Sequence, residues 1–151
     1  MKNVVKNKKP EKRRSILEMY YVKGFLNRMQ KKWSPDDRLL VANKLYKDYY
    51  LSQSSRTIAI DYAKDRVDNS IKSEPAFIMD ARDRYINAME AIPNDYREII
   101  YIVCCMNKPI QGIGITKRQC EMDWHRQMCD LCRGLDSLIV YYLKQKKKRG
   151  N

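Results

Sequence analysis

Six cysteine and histidine side chains in the last third of the chain could hold a metal, Cys104, Cys105, Cys120, His125, Cys129 and Cys132, the set favoured by spacing being the last four. Cys129 and Cys132 form a CxxC pair, and a structural zinc site completes such a pair with a second one, or with histidine, in tetrahedral geometry. Cys120, His125 and the adjacent Cys104 and Cys105 are the available completions. Against a metal, the CxxC falls inside an apolar helical stretch rather than on a knuckle turn, and buried cysteine packs as a small hydrophobe. Core thiols are therefore expected, with no metal and no cofactor. His125 and Cys129 stand four residues apart and would share a helix face, but a nucleophilic pair needs a third group to orient the base. No Gly-rich phosphate loop, metalloprotease motif or nucleophile elbow occurs. The chain is not expected to be an enzyme.

Charge points elsewhere. The formal net charge is +13 over 151 residues. Residues 1–33 hold 11 Lys/Arg against 2 acids, residues 34–103 hold 10 against 12, and residues 104–151 hold 10 against 4. Two basic ends thus bracket a nearly neutral middle, and each phosphate they neutralise would release condensed counterions. The candidate contacts are Lys6, Lys8, Lys9, Lys12, Arg13 and Arg14 at one end, and Lys144, Lys146, Lys147, Lys148 and Arg149 at the other. Lys117, Arg118 and Arg126 join them from within the chain. The 11 tyrosines are mostly at core-facing spacing, with a few available to stack on bases or anchor an interface.

These residues need helices to position them. With only 5 Gly and 5 Pro, the chain does not suit a turn-dense β fold. The pattern predicts a compact all-α domain of about five to six helices with a helix-turn-helix-like C-terminal half. Residues 1–11 read as a flexible basic arm, 12–143 as the helical domain, divisible into 12–68 and 75–143, and 144–151 as a fraying basic tail. Apolar spacing marks one helix from Arg13 to Lys32 with Gly24 as a weak point, and Ser34-Pro35-Asp36-Asp37 starts a second. Residues 51–56 look like a polar break, and 58–67 are undecided. Further helices start near Ser73-Glu74-Pro75 and at Pro93. The last helix opens on a capping box, Thr116 with Gln119, and Ile115 is placed to staple onto Cys120. No apolar run is long enough to span a bilayer and no signal peptide is visible. Five cysteines in a reduced state fit a cytoplasmic protein.

From Ala88 to Leu138 the order resembles the DNA-reading end of sigma factors, where Ile92-Pro93-Asn94-Asp95-Tyr96-Arg97-Glu98 would open one helix and a second would enter the major groove by its N-terminal end. That end carries Thr116, Lys117, Arg118 and Gln119, equally readable as phosphate contacts or as solvated surface.

Residues 38–68 and 80–142 resemble the C-terminal domain of the gene-transfer-agent activators of alphaproteobacteria and their phage relatives. The carrying phrases are Arg38-Leu39-Leu40 through Lys47-Asp48-Tyr49, Arg66-Val67-Asp68, Ala81-Arg82-Asp83-Arg84-Tyr85, Ile102-Val103-Cys104-Cys105-Met106 with Lys108, and Trp124 leading into Leu131, Leu135-Asp136, Leu138 and Tyr142. Pro109 stands where the family reads glycine, and Trp124-His125 where it reads Trp-Pro. The resemblance implies a regulator that engages RNA polymerase or its sigma factor at phage-like late genes, as an activator or antiterminator. The basic ends would touch DNA or nascent RNA, and the neutral middle would face polymerase, in a bacterial or phage-infected cytoplasm and away from membranes. The alternatives are a free-standing helix-turn-helix regulator and a phage DNA-packaging adaptor.

Overall fold

The computed structural model describes residues 15–29, 32–65 and 76–150. Five α-helices form an all-α domain with no strand among the described residues: α1 Ile16–Val22, α2 Pro35–Asp65, α3 Ala76–Ala91, α4 Asn94–Ile100 and α5 Lys117–Arg149. A 3-10 turn spans Phe25–Asn27, and α4 runs on into a π turn over Tyr101–Cys105. No described helix is long and apolar enough to cross a membrane.

The strongest local signals act as read. Ser34 and Asp37 cap the start of α2 reciprocally, Asp37 N donating to Ser34 Oγ at 3.2 Å and Ser34 N donating to Asp37 Oδ2 at 3.1 Å. Thr116 and Gln119 do the same for α5. Such pairs satisfy amide donors that the helix itself leaves orphaned.

Elsewhere the chain departs from its pattern for physical reasons. The single helix expected over 13–32 stops at Val22, because Gly24 takes a left-handed φ of 81° and turns the backbone into the 3-10 segment. The polar break expected over 51–56 is helical. Leu51 to Arg56 contain neither Pro nor Gly, each polar residue costs only tenths of a kcal/mol in a helix, and Ser52 Oγ donates back to the Tyr49 carbonyl at 2.6 Å. The undecided stretch is therefore helical as far as Asp65. The tail does not fray at Lys144: α5 continues through Arg149, built from good helix formers whose charge suits the negative dipole end.

One core cluster joins helices α1 to α5. Leu17 and Tyr20 of α1, Leu26 of the turn, Leu45 of α2 and Ile92 meet Ile100 of α4 and the α5 stripe Met128, Leu131, Leu135, Leu138 and Ile139. Gly134 lets α4 approach α5: a Cβ there would lie 2.7 Å from Ile100 Cγ1. The residue that locks the helices is charged. Arg38 is fully buried, forks onto Asp136 of α5 at 2.7 and 2.8 Å, and donates to the carbonyls of Leu26, Arg28 and Met29.

Candidate nucleic-acid interface

The first turn of α5 is the element read as entering a DNA groove. Lys117 and Arg118 are exposed there. The connector before it, residues 106–116, lies flat on that turn, since a Cβ on Gly112 would come within 2.0 Å of the Cys120 carbonyl oxygen. Asp123 Oδ2 holds it there by accepting from Ile113 N at 2.8 Å. This amide bond, with Arg126 and Gln127, keeps the Asp123 carboxyl below its ordinary range. The path points Ile115 outward at 96% exposure, so the staple onto Cys120 does not form; Cys120 Sγ instead faces the Gly114 carbonyl at 3.4 Å. Ile113 of the connector and Met122 of α5 are exposed as well. The N-terminal end of α5 therefore presents exposed apolar side chains and two exposed cations. Arg126 is answered within its own helix, by Asp123 at 2.6 Å and Asp130 at 3.4 Å.

The opposite end of α5 is basic on two faces. Lys144, Lys147 and Lys148, spaced i, i+3 and i+4, form one exposed stripe. Tyr142, Gln145, Lys146 and Arg149, at i, i+3, i+4 and i+7, form the other and line a groove of about 500 Å³ against α2 and α3. Asp37, Leu40, Val41 and Lys44 of α2 supply the facing wall, with Trp33, Arg84 and Asn87 beyond. Lys44 Nζ sits 4.3 Å from the Tyr142 ring centroid, a cation–π distance. Arg84 is held at 3.1 Å by Asp48, itself buried. Asp37, the one carboxylate among the described lining residues, is turned to its own cap. The candidates Lys6, Lys8, Lys9, Lys12, Arg13 and Arg14 lie outside the described residues. Sequence reading missed the groove because its walls come from three separate segments, each of which reads alone as core or tail.

The proposed metal ligands do not converge. No group of three or more His, Cys, Asp or Glu able to hold a metal occurs among the described residues. His125 Nδ1 accepts from Arg28 Nη2 at 2.8 Å, the guanidinium having only donors to offer. Its neighbour Trp124 packs edge-on against Phe25, with ring centroids 5.0 Å apart. Cys132 is fully buried under Phe25, and Cys104 and Cys105 are buried on the π turn, which packs chiefly on α2 and α4 and also touches α1.

Burial raises the Cys104 thiol and pushes Cys105 up to about 12 and Cys132 up to about 11. The fold holds these groups protonated. Their stabilising contribution is complete below the ordinary thiol pKa of about 8.5 and is lost as pH rises beyond it, by about 1.4 kcal/mol per pH unit for each thiol. At neutral pH, half-buried Cys120 and Cys129 are expected to react first with a thiol reagent, and the other three only on unfolding. Five thiols reacting at one rate would refute the packing. Cys104→Ser should cost about 1–3 kcal/mol in a urea melt, by placing a hydroxyl in an apolar site.

Comparison with known protein families, curated proteins and solved structures finds no match to this chain, so the resemblance to gene-transfer-agent activators rests on the residue phrases that carry it.

Proposed function

We propose that this chain is a non-catalytic cytoplasmic regulator of transcription that binds nucleic acid through the basic end of α5 and docks on RNA polymerase or its sigma factor, activating phage-like late genes in the manner of an antiterminator. The observation that supports it most is the two-faced basic end: five cations in the six residues 144–149, carried on a helix anchored by its own core stripe. A solubilising tail needs charge but no rigid presentation of it. Ile113, Ile115 and Met122, exposed at the other end of the same helix, favour a protein contact there, because large exposed aliphatic side chains are what interaction surfaces cover. A free-standing helix-turn-helix reader is the weaker alternative, since residues 106–116 separate α4 with its π turn from α5 by far more than the three or four residues of that motif.

The test has two arms. Binding to a DNA duplex is measured against salt, where phosphate neutralisation gives a steep linear loss of log affinity with log salt. The intact protein is then used to capture purified polymerase. A flat salt profile together with no polymerase capture would end the proposal.

A double change in the first turn of α5 assigns its partner. Lys117 and Arg118 oppose the positive dipole end of α5, so Lys117→Gln with Arg118→Gln should raise stability by about 0.3–1 kcal/mol. If this turn touches phosphate, the salt slope on duplex falls by about 1 to 2. An unchanged slope with weakened polymerase capture assigns the turn to protein instead.

A further inference from the structure

The groove between α2, α3 and the end of α5 has walls that duplex DNA cannot use fully. A duplex offers phosphates to cations but keeps its base faces stacked inside, whereas a single strand can lay an unstacked base on an aromatic side chain. The groove combines both kinds of wall. Lys146 and Arg149 line it on the side of α5, and Tyr141 and Trp33 line it as well. Lys44 lies over the Tyr142 ring, and Tyr141, half-buried beside it with ring centroids 5.4 Å apart, is the other tyrosine in the lining. Leu40 and Leu143 stay 69% and 43% exposed at the rim, apolar surface that a ribose and base would cover. A volume of about 500 Å³ suits one small ligand rather than a peptide helix. The Asn87 and Gln145 amides, also in the lining, can serve base edges of either polarity.

We propose that this groove takes one unstacked nucleotide of a single-stranded nucleic acid, its base against Tyr141 and its phosphates on Lys146 and Arg149. The inference rests on the nucleic-acid reading above and narrows it: the outward stripe Lys144, Lys147 and Lys148 serves any phosphate backbone, while the groove face selects single strands. It gives the basic end of α5 two chemistries on two sides of one helix.

The experiment compares a short labelled single-stranded DNA with the duplex of the same sequence, by fluorescence anisotropy at physiological salt. The intact protein is expected to bind the single strand about tenfold or more tightly than the duplex. Tyr141→Ala should remove most of that preference. Because Tyr141 also touches the core, Leu40→Glu is the second variant: it places a carboxylate on an exposed rim position and should lose the preference without loss of fold. Quenching of tryptophan fluorescence by the single strand should vanish in Trp33→Phe. Equal binding of both forms, unaffected by Tyr141→Ala and Leu40→Glu, overturns the groove proposal and leaves nucleic-acid binding standing. Failure to bind either form overturns both.

Discussion

Replacing Arg38 with Ala is expected to destabilise the domain by about 3–5 kcal/mol, the range for removing one partner of a buried ion pair. Arg38 has no exposed surface, whereas the Asp136 side chain is 28% exposed. The guanidinium therefore carries the heavier desolvation cost, and it is offset by five acceptors: two carboxylate oxygens and the carbonyls of Leu26, Arg28 and Met29. Its removal strands Asp136 and frees the 25–29 turn from α2. Arg38→Lys should recover little, because an ammonium cannot fork onto a carboxylate while reaching three carbonyls on another segment. Asp136→Asn should cost less than Arg38→Ala, since the amide oxygen still accepts and the site is partly wet. Urea melts of the three variants check the ranking. A loss below about 1 kcal/mol for Arg38→Ala, the value of a surface pair, would show that the arginine is not the lock described.

The contrast between this lock and the helix caps marks what sequence could reveal. Ser34 with Asp37 and Thr116 with Gln119 act across three residues, so their types and spacing carry the whole interaction. Arg38 and Asp136 are 98 residues apart, and an arginine one turn into an amphipathic helix looks like solvated surface until the fold closes over it. Gly24 lies between these cases: a glycine inside a helical pattern warns of a break, but only the left-handed φ turns the warning into an end. The misplaced staple has a similar cause. Ile115 and Cys120 have the right spacing, yet Gly112 lets the connector lie so flat on α5 that Ile115 is directed to solvent. The groove was least legible of all, since residues near 33–44, 84–87 and 139–149 meet only in three dimensions. The basic tail was legible as charge, but its two faces appear only once α5 is known to continue.

Those two faces separate the effects of neutralisation. Changing Lys144, Lys147 and Lys148 together to Gln should reduce the salt slope of duplex binding by about 3 and weaken affinity at physiological salt on the order of a hundredfold. These three share the stripe outside the groove, so they can meet one phosphate backbone at once, whereas Lys146 and Arg149 face the groove wall. Glutamine keeps the helix propensity of lysine nearly intact. Some favourable dipole interaction at the C-terminus is lost, but repulsion between crowded cations is relieved as well. Melting midpoint and far-ultraviolet circular dichroism should therefore stay close to the parent's, and the loss of affinity can be assigned to contact rather than to folding. The converse pair, Lys146→Gln with Arg149→Gln, should leave most of the duplex slope in place and weaken the single strand preferentially. If the two sets of changes reduce duplex and single-strand binding in the same proportion, the helix end acts as an undivided cloud of charge. If the triple change leaves the duplex slope at the parent value, the outward stripe has no part in binding, and phosphate contact must come from another surface of the chain.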